Sequence, residues 1–318
     1  MNAIAAMPPH QSGPKIDLRV RIGSLVLPNP VLVASGTFGN GEEMAELIDL
    51  RALGGVVLKG TTLRPRHGNA PMRIIETPAG LLNAIGLQNV GIEETLRSKA
   101  PFVKRFGIPA IINIAGETVD EYAEMAAQAD ACTAIDAIEL NVSCPNVQRG
   151  GIAFGTDAQV LGAVVRNARA ATRKPLIVKL SPNVTDIVAM ARAAEDAGAD
   201  ALSLINTVIG MVIDVPRRRP ALANGIGGLS GPAVRPIAVA MTWKVARAVA
   251  LPVIGMGGIA CLDDALQFFV AGAMAIQVGT ASFTNPLCAV EIAAGLRRYL
   301  AEHGLASPRA LRSAWTCP

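Results

Sequence analysis

The sequence predicts an α/β fold, a closed (β/α)8 or TIM barrel with an N-terminal β-hairpin and long loops over one face. Three observations lead there. Eight short apolar runs rich in Val, Ile and Ala recur along the chain, and stretches of helical period separate them. The alternative, an open doubly wound sheet, needs a G-x-G-x-x-G on its first strand–helix turn, and none is there.

Taken in order, residues 1–15 contain Pro8, Pro9, Gly13 and Pro14 and neither a signal-peptide core nor an amphipathic helix. They are expected to be a flexible tail ahead of a single domain, 16–318. Residues 16–30 alternate apolar and polar around Gly23-Ser24, the pattern of a β-hairpin. The eight barrel strands are expected within 30–35, 54–60, 109–116, 136–143, 175–182, 200–207, 252–258 and 274–280. Helical period marks 119–131, 157–172, 184–199, 233–250 and 261–273. Three strand-to-helix connections, 61–90, 144–156 and 207–232, are long. In a barrel such connections lie over the carboxyl ends of the strands, where active sites are built.

Composition narrows the class. Of 318 residues, 51% are hydrophobic and 17% charged, which suits parallel strands buried on both faces. No run approaches the roughly 18 uncharged apolar residues of a spanning helix, so no membrane association is expected. A net charge of +4 with 3% aromatics argues against nucleic acid, which asks for basic patches and stacking rings. The five cysteines, Cys132, Cys144, Cys261, Cys288 and Cys317, are odd in number and form no C-x-x-C pair. Neither a disulfide framework nor a metal site is expected, and the chain reads as a reduced, cytoplasmic protein. Cys132, Cys261 and Cys288 are expected to be small buried hydrophobes.

The strand ends carry a set of small and polar groups: Ser35, Lys59, Asn113, Asn141, Lys179, Asn206 with Thr207, Gly257 with Gly258, and Gly279 with Thr280. Singly, such residues cap helices or make turns; jointly they form a hydrogen-bonding ring at one mouth of an apolar barrel. The glycines after the last two strands suit close approach to a phosphate. Lys59 and Lys179 end apolar stretches with no carboxylate beside them in sequence. A buried ammonium is costly alone, so a bound anion, or a cofactor that becomes anionic, is the economical partner. A rim lysine reaching into water is the alternative. Cys144 differs from the other cysteines in its polar loop at NVSCPN. A thiol nucleophile wants a positioned histidine, and of His10, His67 and His303 only His67 falls in an active-face loop. Abstraction of a carbon-bound proton fits Cys144 better.

These motifs resemble the catalytic subunit of class 1B dihydroorotate dehydrogenases. The similarity is carried by ASGTFG (34–39), KGTTLRPRHGN (59–69), GLLNAIGLQN (80–89), ELNVSCPN (139–146), VKLSPNV (178–184), INTVIGM (205–211), GGLSGPA (227–233), GMGG (255–258) and VGT (278–280). The resemblance implies oxidation of dihydroorotate to orotate in pyrimidine biosynthesis, with hydride passing to one FMN per chain and Cys144 as base. It implies FMN contacts from Ser35, Lys59, Gly60, Asn113, Asn141, Lys179, Ile205, Gly231, Gly257, Gly258, Gly279 and Thr280. Substrate would meet Lys59, Asn83, Ala84, Ile85, Gly86, Leu87, Asn141, Asn206 and Thr207. Electrons would reach NAD through a partner subunit carrying FAD and a [2Fe–2S] cluster, on a homodimeric core forming a heterotetramer. Gly60, where the family leads one to expect alanine, and the Arg217–Arg219 run depart from its pattern. The alternatives are a fumarate-dependent class 1A dihydroorotate dehydrogenase, a dihydropyrimidine dehydrogenase-like FMN barrel, a tRNA dihydrouridine synthase and a non-catalytic flavin-binding electron carrier.

Overall fold

A computed structural model describes residues 16–143 and 154–313. Its strands in chain order are β1 Val20–Ile22, β2 Leu25–Leu27, β3 Val31–Val33, β4 Gly55–Val57, β5 Ile74–Thr77, β6 Gly80–Asn83, β7 Ala110–Ile114, β8 Ala137–Asn141, β9 Leu176–Lys179, β10 Ala201–Leu204, β11 Val208–Gly210, β12 Ile213–Asp214, β13 Arg219–Pro220, β14 Gly227–Ser230, β15 Val253–Met256 and β16 Ala275–Val278. Eight of them close a barrel in the order β3-β4-β7-β8-β9-β10-β15-β16. Neighbours around it run parallel, for example Asn113 opposite Glu139 and Asn141 opposite Lys179. Each of the eight apolar runs contains one barrel strand.

Side chains alternate between two burial environments, because successive residues of a strand point to opposite faces. Ala110, Ile112, Ile138, Leu176, Val178, Leu202, Val253 and Ile276 belong to a large cluster shared with the outer helices. Their neighbours Ile111, Ala137, Ile177, Ala201, Ile254 and Ala275 form a second cluster with Val20, Ile22, Leu25 and Leu27. These six lie at the first or second position of their strands, so the β1–β2 hairpin seals the amino end of the barrel. Ile22 and Leu25 are directly paired, and Gly23 turns the chain between them at φ +57°. Arg21 and Val26, on the other face, are exposed.

The helices fall where the periodicity puts them: Val119–Ala131, Ala158–Ala171, Ile187–Asp196, Arg235–Ala248 and Leu262–Ala271, followed by Cys288–Glu302. Three of them start on side-chain caps. Thr118 accepts from the Glu121 N–H, Asp157 from those of Gln159 and Val160, and Asp186 from those of Val188 and Ala189. The first connection is irregular: between β3 and β4 the chain makes only the 3-10 turns Met44–Glu46 and Leu50–Ala52. None of the helices described is long and apolar enough to cross a membrane.

Two features differ from the sequence expectations. Residues 61–90 and 207–232 do not remain plain loops: β5, β6, β11 and β14 pair antiparallel in the order β11-β14-β6-β5. Each connection supplies half of this sheet, a pairing across about 145 residues, as between Asn83 and Gly228, that local pattern does not display. Cys261 is exposed rather than buried, because it occupies the N-cap of the helix Leu262–Ala271 at the surface. Cys132 is half-buried and Cys288 buried, and burial pushes the Cys288 thiol up to about 11.

The hairpin plug leads to a stability prediction. Leu27→Ala opens a cavity in a fully buried position and is expected to cost about 2–5 kcal/mol. Val26→Ala, one residue away on the exposed face, should stay within about 0.5 kcal/mol of the unaltered chain. Urea denaturation of both variants checks this; equal losses would mean that the hairpin does not plug the barrel.

Candidate active site at the carboxyl mouth

Continuing five of the strands by two residues from the plug changes their chemistry. The inward positions become Asn113, Glu139, Lys179, Ser203 and Gln277, all buried, where the outer face of the same strands stays apolar. Two residues further on, Asn141, Ser181, Ile205 and Gly279 reach the wall of a cavity of about 770 Å³. The barrel therefore grades from an apolar plug through a polar layer to an open mouth, and the antiparallel sheet of β5, β6, β11 and β14 stands over that mouth.

Most of the residues expected at the site line this cavity. They are Ser35, Lys59, Gly60, Asn141, Lys179, Ile205, Gly231, Gly257, Gly258, Gly279 and Thr280 from the barrel side, with Asn83, Ala84, Ile85, Gly86, Leu87, Asn206 and Thr207. Asn113 sits behind the wall: it is fully buried, and a Cβ built on Gly60 would lie 3.1 Å from its Oδ1. Cys144 lies outside the described residues.

Several contacts hold the polar groups in place. Asn141 accepts the Asn206 Nδ2–H at 3.3 Å on its Oδ1, and its backbone carbonyl accepts from Tyr122 Oη at 2.7 Å. Asn206 in turn accepts the Thr207 N–H at 2.9 Å. Asn83 Nδ2 donates to the Gly228 carbonyl at 3.1 Å, tying β6 to β14. The segment after β6 is pinned by two asparagines. Asn69 donates to the Ala84 carbonyl at 3.0 Å, and Asn89 donates to the Leu87 carbonyl at 2.7 Å. Leu87 itself is held at φ +52°.

Lys179 is only 5% exposed, and its Nζ donates to Ser35 Oγ at 3.5 Å, a long contact. Lys59 is half-buried, and its backbone N–H donates to Asn40 Oδ1 at 3.2 Å. Among the described residues neither ammonium takes part in an ion pair. For Lys179 the burial excludes the solvated-rim alternative and leaves its side chain facing the cavity.

The opposite wall is built from glycine. At Gly258 φ is +77°, and a Cβ would meet Arg235 Cβ at 2.7 Å and the Gly231 carbonyl oxygen at 2.8 Å. Arg235 is anchored by an ion pair to Asp264, whose other oxygen accepts the Ala260 N–H at 2.9 Å. Gly279 differs. A Cβ there would touch protein only at 3.7 Å or beyond, so its small size serves the cavity rather than packing. Thr280 Oγ1 donates to Ser230 Oγ at 2.8 Å, joining the last barrel strand to β14.

Glu139, Ser203 and Gln277 were missed as site residues. Glu139 accepts from Asn113 Nδ2 at 2.6 Å, Ser203 Oγ at 2.8 Å and Gln277 Nε2 at 2.8 Å. The signal was there: in DAIELNVS, DALSLINT and MAIQVGT one polar residue interrupts an apolar run at an inward position. Asn183 was also missed. Its Nδ2 donates to the Thr207 carbonyl at 2.9 Å and its Oδ1 accepts the Ile209 N–H at 2.9 Å, bridging the rim to β11.

A family profile described as dihydroorotate dehydrogenase matches residues 17–300. The dihydroorotate dehydrogenase B (NAD(+)) catalytic subunit of Trichlorobacter lovleyi is 60% identical over 289 residues, covering 91% of this chain and 95% of that one. The protein of the same name from Pelobacter propionicus is 56% identical over 303 residues, covering 95% and 100%. Among solved structures, that of DHODH from Eimeria tenella in complex with ferulenol superposes with a TM-score of 0.78 at 21% identity. It covers 96% of this chain and 89% of that one, a likeness of fold.

The glycine wall yields a prediction of its own. Gly258→Ala forces a side chain into a left-handed backbone and against Arg235, and should cost about 1–3 kcal/mol. Gly279→Ala should leave stability within about 0.5 kcal/mol. Chemical denaturation without added ligand checks both; a Gly258 variant as stable as the Gly279 variant would refute the steric reading.

Proposed function

Because the chain belongs to the dihydroorotate dehydrogenase family, we propose that it oxidises (S)-dihydroorotate to orotate in de novo pyrimidine biosynthesis, using FMN at the barrel mouth and Cys144 as base. The observation that carries the reading is the chemistry of the cavity. Two lysines that form no ion pair among the described residues and the three asparagines Asn83, Asn141 and Asn206 converge on it. Asparagine carboxamides offer both donors and acceptors, matching a cyclic imide, and a lysine suits the substrate's carboxylate.

The donor set also suits FMN. Buried acceptors with no partner among the described residues, Gln277 Oε1 at the cavity floor and Asn113 Oδ1 behind Gly60, favour a ligand bearing a ring N–H. Gly231, Gly257, Gly258, Gly279 and Thr280 would take the phosphate, where small residues admit close backbone approach. Ser35, Lys59, Gly60, Asn113, Asn141, Lys179 and Ile205 would surround the ring. Bound FMN supplies a two-electron hydride acceptor. Lys179 holds a positive charge in a buried place and stabilises negative charge that develops on its ligand. Asn83 through Leu87, Asn141, Asn206 and Thr207 orient the substrate ring. Cys144 Sγ takes the proton from the carbon beside the one that loses hydride; its place after β8, in NVSCPN, supports this.

The names of the relatives, catalytic subunits of NAD(+)-linked enzymes, support electron transfer to NAD through a separate subunit. On this reading two catalytic chains form the core, and the partner carries FAD and a [2Fe–2S] cluster. Exposed Met72, Ile209, Met211, Ile213 and Val215 near the mouth support a covering partner. The dispersed cysteines support a cytoplasmic setting.

Two measurements check this reading. Cys144→Ala should retain FMN yet be reduced by dihydroorotate at least about a hundredfold more slowly in stopped flow, the scale of losing a general base. Near-normal reduction would remove Cys144 from the mechanism. The isolated chain should reduce neither NAD nor fumarate quickly with dihydroorotate, and should reduce NAD once the flavin–iron–sulfur partner is added. Efficient fumarate turnover by the chain alone would replace the partner with the class 1A route.

A further inference from the structure

Glu139 has no solvent exposure and stands in the barrel lumen, one inward step above the apolar plug. Its Oε1 accepts from Asn113 Nδ2 at 2.6 Å. Its Oε2 accepts from Ser203 Oγ and from Gln277 Nε2, each at 2.8 Å. Asn113 is on the adjacent strand β7, whereas Gln277 comes from β16, four strands away in either direction around the barrel. None of the ion pairs among the described residues involves Glu139.

A carboxylate only accepts hydrogen bonds, whereas a carboxamide has one accepting end and one donating end. Two amides that face one carboxylate must both turn their NH2 groups toward it. Their oxygens then point elsewhere, and here both oxygens, Asn113 Oδ1 and Gln277 Oε1, are buried without a partner among the described residues. Orphaned acceptors are costly in a protein interior and need a reason. The reason lies in where they sit. Gln277 lines the cavity, and Asn113 Oδ1 lies against Gly60, a residue of the cavity wall.

We propose that Glu139 is a positioning residue that sets the polarity of the Asn113 and Gln277 amides, so that the floor of the cavity presents acceptors to the N–H edge of a flavin. This rests on the FMN reading above. Glu139 does not touch the ligand in this account; it acts through the two amides. The neutral isostere glutamine cannot do the same work. It places an NH2 group opposite either Asn113 or Gln277, and whichever amide it faces must invert and turn its own NH2 toward the floor. Ser203 tolerates either arrangement, because a hydroxyl both donates and accepts.

The test is FMN affinity of the deflavinated chain, followed by fluorescence quenching, with thermal stability of the apoprotein measured alongside. Glu139→Gln should weaken FMN at least about tenfold with little change in apoprotein melting, since the substitution is isosteric. The double variant Glu139→Gln/Gln277→Glu puts the carboxylate on the facing strand and restores an acceptor at both floor positions. It should recover affinity to within about threefold, which a merely structural role for Glu139 does not predict. Gln277→Met removes one floor acceptor without touching Glu139 and should also weaken FMN, by about threefold or more. Unaltered affinity in Glu139→Gln, or no recovery in the double variant, overturns the proposal. Unaltered affinity in Gln277→Met overturns it as well, even if Glu139→Gln fails to fold. An unaltered chain that binds no FMN would instead refute the flavin reading on which the proposal stands.

Discussion

Closure of eight parallel strands into a cylinder leaves a lumen that only side chains can fill, and every other residue of each strand must enter it. The rest of the molecule follows from how that obligation is met. At the amino end the filling is apolar: Ile111, Ala137, Ile177, Ala201, Ile254 and Ala275 pack on the hairpin residues Val20, Ile22, Leu25 and Leu27. A hairpin is needed because these small and medium side chains end at an open edge, and the alternating burial of β1 and β2 supplies four apolar groups on one face.

Above the plug the same inward positions carry Asn113, Glu139, Lys179, Ser203 and Gln277. Polar groups in a lumen of low dielectric are tolerated when they are paired. Glu139 collects three donors and so meets that condition. Among the described residues Lys179, with a single long contact to Ser35, does not, and neither do the unpartnered oxygens of Asn113 and Gln277. Among the described residues these three unmet groups lie beneath or beside the cavity, whereas the plug is apolar. The lumen thus places unmet polar groups beside the cavity, the arrangement expected of a pre-organised site.

The mouth is completed by chain far apart in sequence. Asn83 and Gly228 pair β6 with β14, Asn183 joins β9's trailing loop to β11, and Thr280 ties the last strand to Ser230. A sheet built from two connections holds its residues more firmly than two separate loops could, since each strand's backbone groups are satisfied by the other's. Asn83 through Leu87 therefore sit on a framed edge, with Asn69 and Asn89 fixing the turn behind them.

Period and composition were enough to determine the barrel. Val- and Ile-rich runs between helical stretches mark all eight strands because parallel strands are apolar on both faces. The strand-end pattern singled out Lys59, Asn141 and Lys179, and motif resemblance added Asn83 through Leu87 and Gly231 around the cavity. Tertiary structure decided the rest. It sets Asn113 behind Gly60, exposes Cys261 at a helix cap, and folds residues 61–90 and 207–232 into one sheet. It also brings Gln277 to Glu139 across the barrel. Each of these depends on which strand faces which across the closed cylinder, a relation between residues distant in sequence that local propensity and spacing do not encode.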